Sequence, residues 1–302
     1  MSRLFNTAAP LNHAALHNVL DALVERYSVP VINIGFSILG RDLPALRLGE
    51  GPKKLLYVGA HHASEWLTAT ALLHFAEQLL RAARASARLT GVDAAGLLKA
   101  VSIFIVPMLN PDGVEIEQRG AEGGGIFSER LLLLNGGFDF THWQANARGV
   151  DLNHNYEAGW AEAKMLEREA GIFGGGPTRY GGEFPESEPE SAALCAFVRS
   201  VDFDAVLALH SQGEEIYYDF GGLAPAGSEQ IAAVLSKVSG YRAAKPSGIA
   251  SLSGFKDWFI ATYNRPGFTV EMGLGENPLP PQEFDAFYRP LEPLLALFPT
   301  LI

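Results

Sequence analysis

The stretch Leu55–Trp66 reads LLYVGAHHASEW. A short unbroken apolar run gives way to two histidines and then, past Ala63 and Ser64, to a glutamate that opens a run of helical spacing. LLYVGA (Leu55–Ala60) is therefore predicted as a buried strand. The segment from about Glu65 to Ala85 is predicted as a helix on the spacing of Leu67, Leu72, Leu73, Phe75, Leu79 and Leu80. Upstream, an amphipathic segment near Leu11–Tyr27 precedes VINIGFSILGRDLPALRLG, two β-like runs about a Gly40-Arg41 turn that predict an antiparallel hairpin. Downstream come further buried strands: VSIFIVPML from Val101, AVLALH ending at His210, and GFTVEM carrying Glu271. Helices are predicted at Ser187–Arg199, Gly227–Ser239, Gly254–Tyr263 and after the Pro-rich NPLPPQ. The Gly-rich middle, Asn110 to about Glu186, reads as long irregular loops, which in compact domains are usually functional. Strands alternating with helices predict an α/β fold of three layers, α/β/α, around a mixed, mostly parallel twisted sheet whose sites gather at the carboxyl ends of strands. No repeat or linker divides the chain, so one domain over 1–302 is expected.

Composition narrows the function classes. A net charge of -11 and a pI near 5.2 disfavour a nucleic-acid or anionic-membrane surface, because phosphates are repelled. No apolar run approaches the roughly 20 residues of a membrane span. The start, MSRLFNTAAPLNHAAL, lacks the pattern of a secretory signal, and the single Cys195 cannot form an internal disulfide, so a cytoplasmic protein is expected.

The polar residues at strand ends carry the chemistry. His62 and Glu65 lie at i and i+3 where the chain leaves a strand for a helix, a spacing that can aim both side chains into one crevice; His61 and Glu65 offer the competing i, i+4 pair, and spacing does not choose between them. His210, ending a second apolar strand before the opening Ser-Gln-Gly, supplies a third ligand. Two nitrogens and one carboxylate on a single Zn2+ leave a position for water, as a catalytic site requires, whereas structural zinc more often uses Cys. Glu271 puts a carboxylate where a buried strand would continue with an aliphatic residue; beside activated water it could accept a proton and pass it to a leaving amine.

Together these residues resemble the M14 family of zinc carboxypeptidases, whose pattern is HxxE, a distant His and then a catalytic Glu. The resemblance runs over nearly the whole chain, through IGFSILGRDLPALRL, HHASEW, NPDGVE, ARGVDLNHNY, LALHSQ, GFKDW and FTVEMG. It implies His62, Glu65 and His210 as zinc ligands, with His61 a packing neighbour. It implies Glu271 as general base, Asp151 as the carboxylate orienting a ligand histidine, and Asn153 as a binder of substrate carboxylate. Arg148 is the candidate cation for the developing oxyanion.

Three positions depart from digestive-type members: His154 stands for an arginine that clamps the terminal carboxylate, Ser64 for the arginine of HxRE, and Ile249 falls near a mobile tyrosine. Lys256 falls where the family sets side-chain specificity and should favour an acidic group. With HHASEW and GVDLNHNY, these features resemble the bacterial branch acting on γ-D-glutamyl-diaminopimelate bonds of peptidoglycan peptides. The expected substrate is a small peptide from recycled cell wall. The rival readings are a carboxypeptidase for acidic C-termini, a zinc deacylase of N-acyl amino acids and a non-catalytic binder.

Overall fold

A computed structural model describes residues 3–246 and 248–302, with the backbone alone at 249 and 250. Its strands are β1 (Val31–Phe36), β2 (Asp42–Leu48), β3 (Lys53–Val58), β4 (Arg88–Leu89), β5 (Val92–Asp93), β6 (Val101–Val106), β7 (Ala205–His210), β8 (Glu215–Tyr217), β9 (Arg242–Ala244) and β10 (Gly267–Glu271). Eight of them form one sheet in the order β1-β2-β6-β3-β7-β10-β8-β9, and β4 with β5 form a separate small pair. The centre, β6-β3-β7-β10, is parallel; β1 and β2 are the expected antiparallel hairpin, and β2 and β8 join the centre antiparallel.

The central strands read as continuous apolar runs because both faces of the sheet are covered. Alternate residues divide between two cores, as the two-residue period of a strand demands. Leu55, Tyr57, Ile103, Ile105, Leu207 and Leu209 pack with α1 (His13–Tyr27), α2 (Leu67–Arg84), α8 (Ser228–Ser239) and α10 (Phe284–Leu297). Leu56, Val58, Phe104, Val106, Val206 and Ala208 pack on the other face with α7 (Pro189–Val201) and α9 (Phe255–Tyr263). The three-layer expectation is met. Among the described residues no helix is long and apolar enough to cross a membrane.

The middle of the chain is more ordered than its sequence implies. It contains α4 (Pro111–Arg119), a 3-10 helix over Gly120–Phe127, α5 (Ser128–Asn135) and α6 (Trp160–Glu169), while the remaining helix α3 is Ala94–Ala100. Asn110 caps α4 by accepting from Gly113 N, and Pro111 occupies the first turn. All are short, and α4, the 3-10 helix and α5 cover a small third core of Ala63, Ile116, Leu131, Phe140, Trp143, Ala145 and Ala147, so they need only brief apolar patches and show no sustained period. Gly120–Gly125 is no free loop: a Cβ on Gly123 would lie 2.1 Å from Glu115 O.

Candidate metal centre and active site

The crevice begins where β3 ends. Gly59 N donates to Val106 O (2.9 Å), and a Cβ there would meet Pro107 O at 2.8 Å, so the exits of β3 and β6 run in close contact. Asn110 Nδ2 donates to His61 O (3.1 Å), fixing the backbone between the strand and the 3-10 turn Ala63–Glu65. The adjacent parallel strands β7 and β10 end in register, His210 beside Glu271, so the two side chains leave the same face of the sheet. HxxE, His210 and Glu271 thus meet at three carboxyl ends.

His62 Nδ1 lies 2.8 Å from Glu65 Oε1, and His210 Nδ1 lies 2.9 Å from Glu65 Oε2. The donor atoms of His62, Glu65 and His210 all fall within 4.8 Å of one another. His62 Nε2 sits 3.1 Å from Asp151 Oδ1, and Asp151 is itself held by Arg179 N (2.9 Å) and Asn153 N (3.2 Å). Opposite an ionised carboxylate Nε2 carries the ring proton, so a neutral His62 turns its Nδ1 lone pair on Glu65. That contact needs a cation, either a second ring proton or a metal ion, and an N, N, O set without Cys, with Glu65 and His210 buried and His62 partly so, fits zinc. Electrostatics agree with the need. Burial opposes charging His62, but Glu65 and Asp151 outweigh it and push its pKa well above the usual range. Burial likewise opposes ionising Glu65, yet His62 and His210 hold its pKa below the ordinary value.

His61 is outside this set. Fully buried, it stacks on His210 with ring centroids 5.2 Å apart and places Nε2 3.2 Å from Tyr156 Oη, and burial pushes its pKa well below the usual range. The choice that spacing left open falls to His62. The Glu271 carboxyl is raised well above its ordinary pKa by burial and then by Glu65, with His62 opposing, the environment in which a carboxylate takes up a proton readily.

Residues 16–290 match the zinc carboxypeptidase family, peptidase family M14. The chain belongs to that family. It is a zinc metallopeptidase of the α/β/α carboxypeptidase fold. A relative 36% identical over 291 residues, 95% of this chain and 72% of its own length, is gamma-D-glutamyl-L-diamino acid endopeptidase 1 of Lysinibacillus sphaericus. The carboxypeptidase A structure from Helicoverpa armigera superposes with a TM-score of 0.74 at 19% identity, covering 98% of this chain and 74% of that one. Murein-tripeptide amidase MpaA from Escherichia coli O157 superposes with a TM-score of 0.53 at 20% identity, covering 89% and 91%.

Around the metallopeptidase's ligands, other expected residues divide. Asn153 Oδ1 accepts from Phe255 N (3.1 Å), which leaves its amide hydrogens for another partner, and His154 keeps a buried Nδ1 with no partner among the described residues. Lys256 is a correction. It is 4% exposed, its Nζ donates to Asp219 O (2.6 Å), and it forms an ion pair with Asp257. A lysine so buried on the first turn of α9 is held by its neighbours and is not presented to a substrate carboxylate. Arg148 is a second. Its Nε faces Glu188 Oε2 at 3.7 Å, and it lines a cleft of about 400 Å³ with Arg130, Phe173 and Tyr180 that includes none of the ligands. A tight turn, with Gly149 at φ +79° and its N–H donating to Asn146 O (3.1 Å), lies between Arg148 and Asp151, and nearness in sequence does not put Arg148 at the metal. The side chain of Ile249 lies outside the described residues.

The structure also adds members. Asn277 Nδ2 reaches Glu65 Oε1 (3.4 Å) and Ser211 O (2.7 Å), and Ser211 N donates to Glu65 Oε2 (3.3 Å). Thr178 and Arg179 support Asp151 from the far side. Asn277 was readable only as part of a Pro-rich turn; its one signal is a polar residue in the loop directly after the strand that carries Glu271.

Proposed function

We propose that this metallopeptidase hydrolyses the amide bond between γ-D-glutamate and a diamino acid in small peptides derived from peptidoglycan. The observation that carries the reading is the identity to an endopeptidase named for that bond, which extends over 95% of the chain. His62, Glu65 and His210 hold one zinc ion, Asp151 fixes the His62 tautomer, and Asn277 and Ser211 steady the Glu65 carboxylate. When bound, the zinc supplies Lewis-acid activation of water and of the scissile carbonyl. Glu271 takes the proton from the attacking water and delivers it to the departing amine, and Asn153 and His154 receive a substrate carboxylate. The lone Cys195, buried and unpaired, supports a reducing compartment, and we assign the enzyme to cytoplasmic turnover of released wall peptides.

The test is hydrolysis of L-Ala-γ-D-Glu-meso-diaminopimelate against an ordinary peptide with an acidic C-terminus, each with and without a chelator, read by mass spectrometry. Chelator-sensitive release of diaminopimelate is expected. Faster cleavage of the ordinary peptide would return the enzyme to general carboxypeptidase activity.

A further inference from the structure

A second convergence of side chains lies at the other end of the chain. The Asn12 side chain accepts from Ala15 N (2.9 Å) and starts α1, which places His13 and His17, four residues apart, on one face of its first turns. That face meets Asp42, the first residue of β2, beside the irregularity in the β1–β2 pairing. His13 Nε2 lies 3.0 Å and His17 Nε2 2.9 Å from the same oxygen, Asp42 Oδ1, and the two Nε2 atoms are 3.3 Å apart. The side chains are 17%, 38% and 30% exposed, so solvent reaches the triangle from one side.

Hydrogen bonding alone serves this arrangement poorly. His13 Nε2 has Asp42 Oδ1, Asp42 O at 3.2 Å and His17 Nε2 as neighbours, and one ring proton cannot point at all of them. If each ring instead donates to Oδ1, two N–H hydrogens crowd together. A cation satisfies all three donors through their lone pairs. Tetrahedral ligands at about 2.0–2.1 Å from zinc stand roughly 3.3–3.4 Å apart, so the observed triangle needs to widen by only a few tenths of an ångström.

We propose that His13, His17 and Asp42 form a second metal site, for a divalent transition-metal cation of the Zn2+, Co2+ or Ni2+ class. Two imidazoles and one carboxylate select such ions over Mg2+ and Ca2+, which prefer all-oxygen sets. The site shares no residue with the crevice. Its ligands come from α1 and from the β1–β2 hairpin, so the ion acts as a clasp between the N-terminal helix and the sheet edge and stabilises the fold by mass action.

The test counts metal in the full chain after equilibration with Zn2+ and, separately, Co2+, by native mass spectrometry and elemental analysis. Wild type is expected to take up two equivalents. His17→Ala and the near-isosteric Asp42→Asn should each take up one, with peptidase turnover unchanged and with the metal-dependent rise in Tm reduced. Asp42→Asn guards against a loss that merely reflects a loosened α1. His62→Ala should lose the other equivalent and keep this one, so failure of the crevice assignment is separable from failure of this one. A wild type that takes up one equivalent, or an Asp42→Asn protein that still takes up two, overturns the proposal.

Discussion

At the residue scale, two charged side chains that the sequence assigned to the active site, Glu271 and Lys256, have opposite circumstances. Glu271 ends its strand beside His210, with a carboxyl that burial and Glu65 make reluctant to ionise. Glu271→Gln keeps the shape and removes the proposed proton acceptor. It is expected to retain stoichiometric zinc while losing about 10²–10⁴-fold in turnover, measured by metal analysis beside kcat. Lys256 has its charge compensated within the protein, by Asp257 and the Asp219 carbonyl. Lys256→Met would strand Asp257 in the interior and should destabilise by about 3–5 kcal/mol in chemical denaturation, with no switch in the substrate side chain preferred by the folded fraction. Had Lys256 read the substrate, the result would be the reverse: stability kept and preference lost.

At the element scale, the crevice is built from the exits of strands, and what holds those exits is loop chemistry. Asn110 is the clearest case. Its side chain is fully buried: Oδ1 caps α4 by accepting from Gly113 N, while Nδ2 donates to His61 O and to Gln144 O. Asn110→Ala removes a cap and leaves the buried His61 carbonyl without its side-chain donor, while Gln144 O keeps Ala63 N. Its expected cost is about 2–4 kcal/mol, with weakened zinc retention because the His61–His62 backbone loses its tie. Thermal unfolding and metal release against a chelator check both parts. In the sequence, NPDGVE carries the resemblance and marks the capped turn, but which backbone the Asn holds is a matter of where β3 and β6 come together.

At the scale of the whole molecule, acidic groups buried between layers make stability depend on pH. Glu190, fully buried at the start of α7, has its pKa raised from 4.5 to about 8 by burial, with Asp112 and Glu188 adding to the rise. Between those values the folded state keeps a proton that the unfolded chain gives up, so stability falls as pH rises through that window, by up to about 1.4 kcal/mol per pH unit, and levels off above it. Glu190→Gln cannot titrate. The stability difference between wild type and variant, from denaturant melts across pH 4.5 to 8, should therefore move steadily against the wild type; a constant difference would show that Glu190 is ionised in the fold.

The sequence alone determined the layers, because strands covered on both faces must be apolar throughout and helices on a sheet must be amphipathic. It also determined the HxxE, His and Glu at strand ends, since polar residues stand out where apolar runs stop. Spacing left His61 and His62 open and the family resemblance pointed to His62; only the tertiary structure decided where the two rings turn, His62 to Glu65 and His61 to Tyr156. It likewise decided that Arg148 and Lys256 are engaged elsewhere, and that Asn277 joins the centre from 212 residues away along the chain. A long charged side chain commits to whichever partner the fold brings near, and that partner has no fixed place in the sequence.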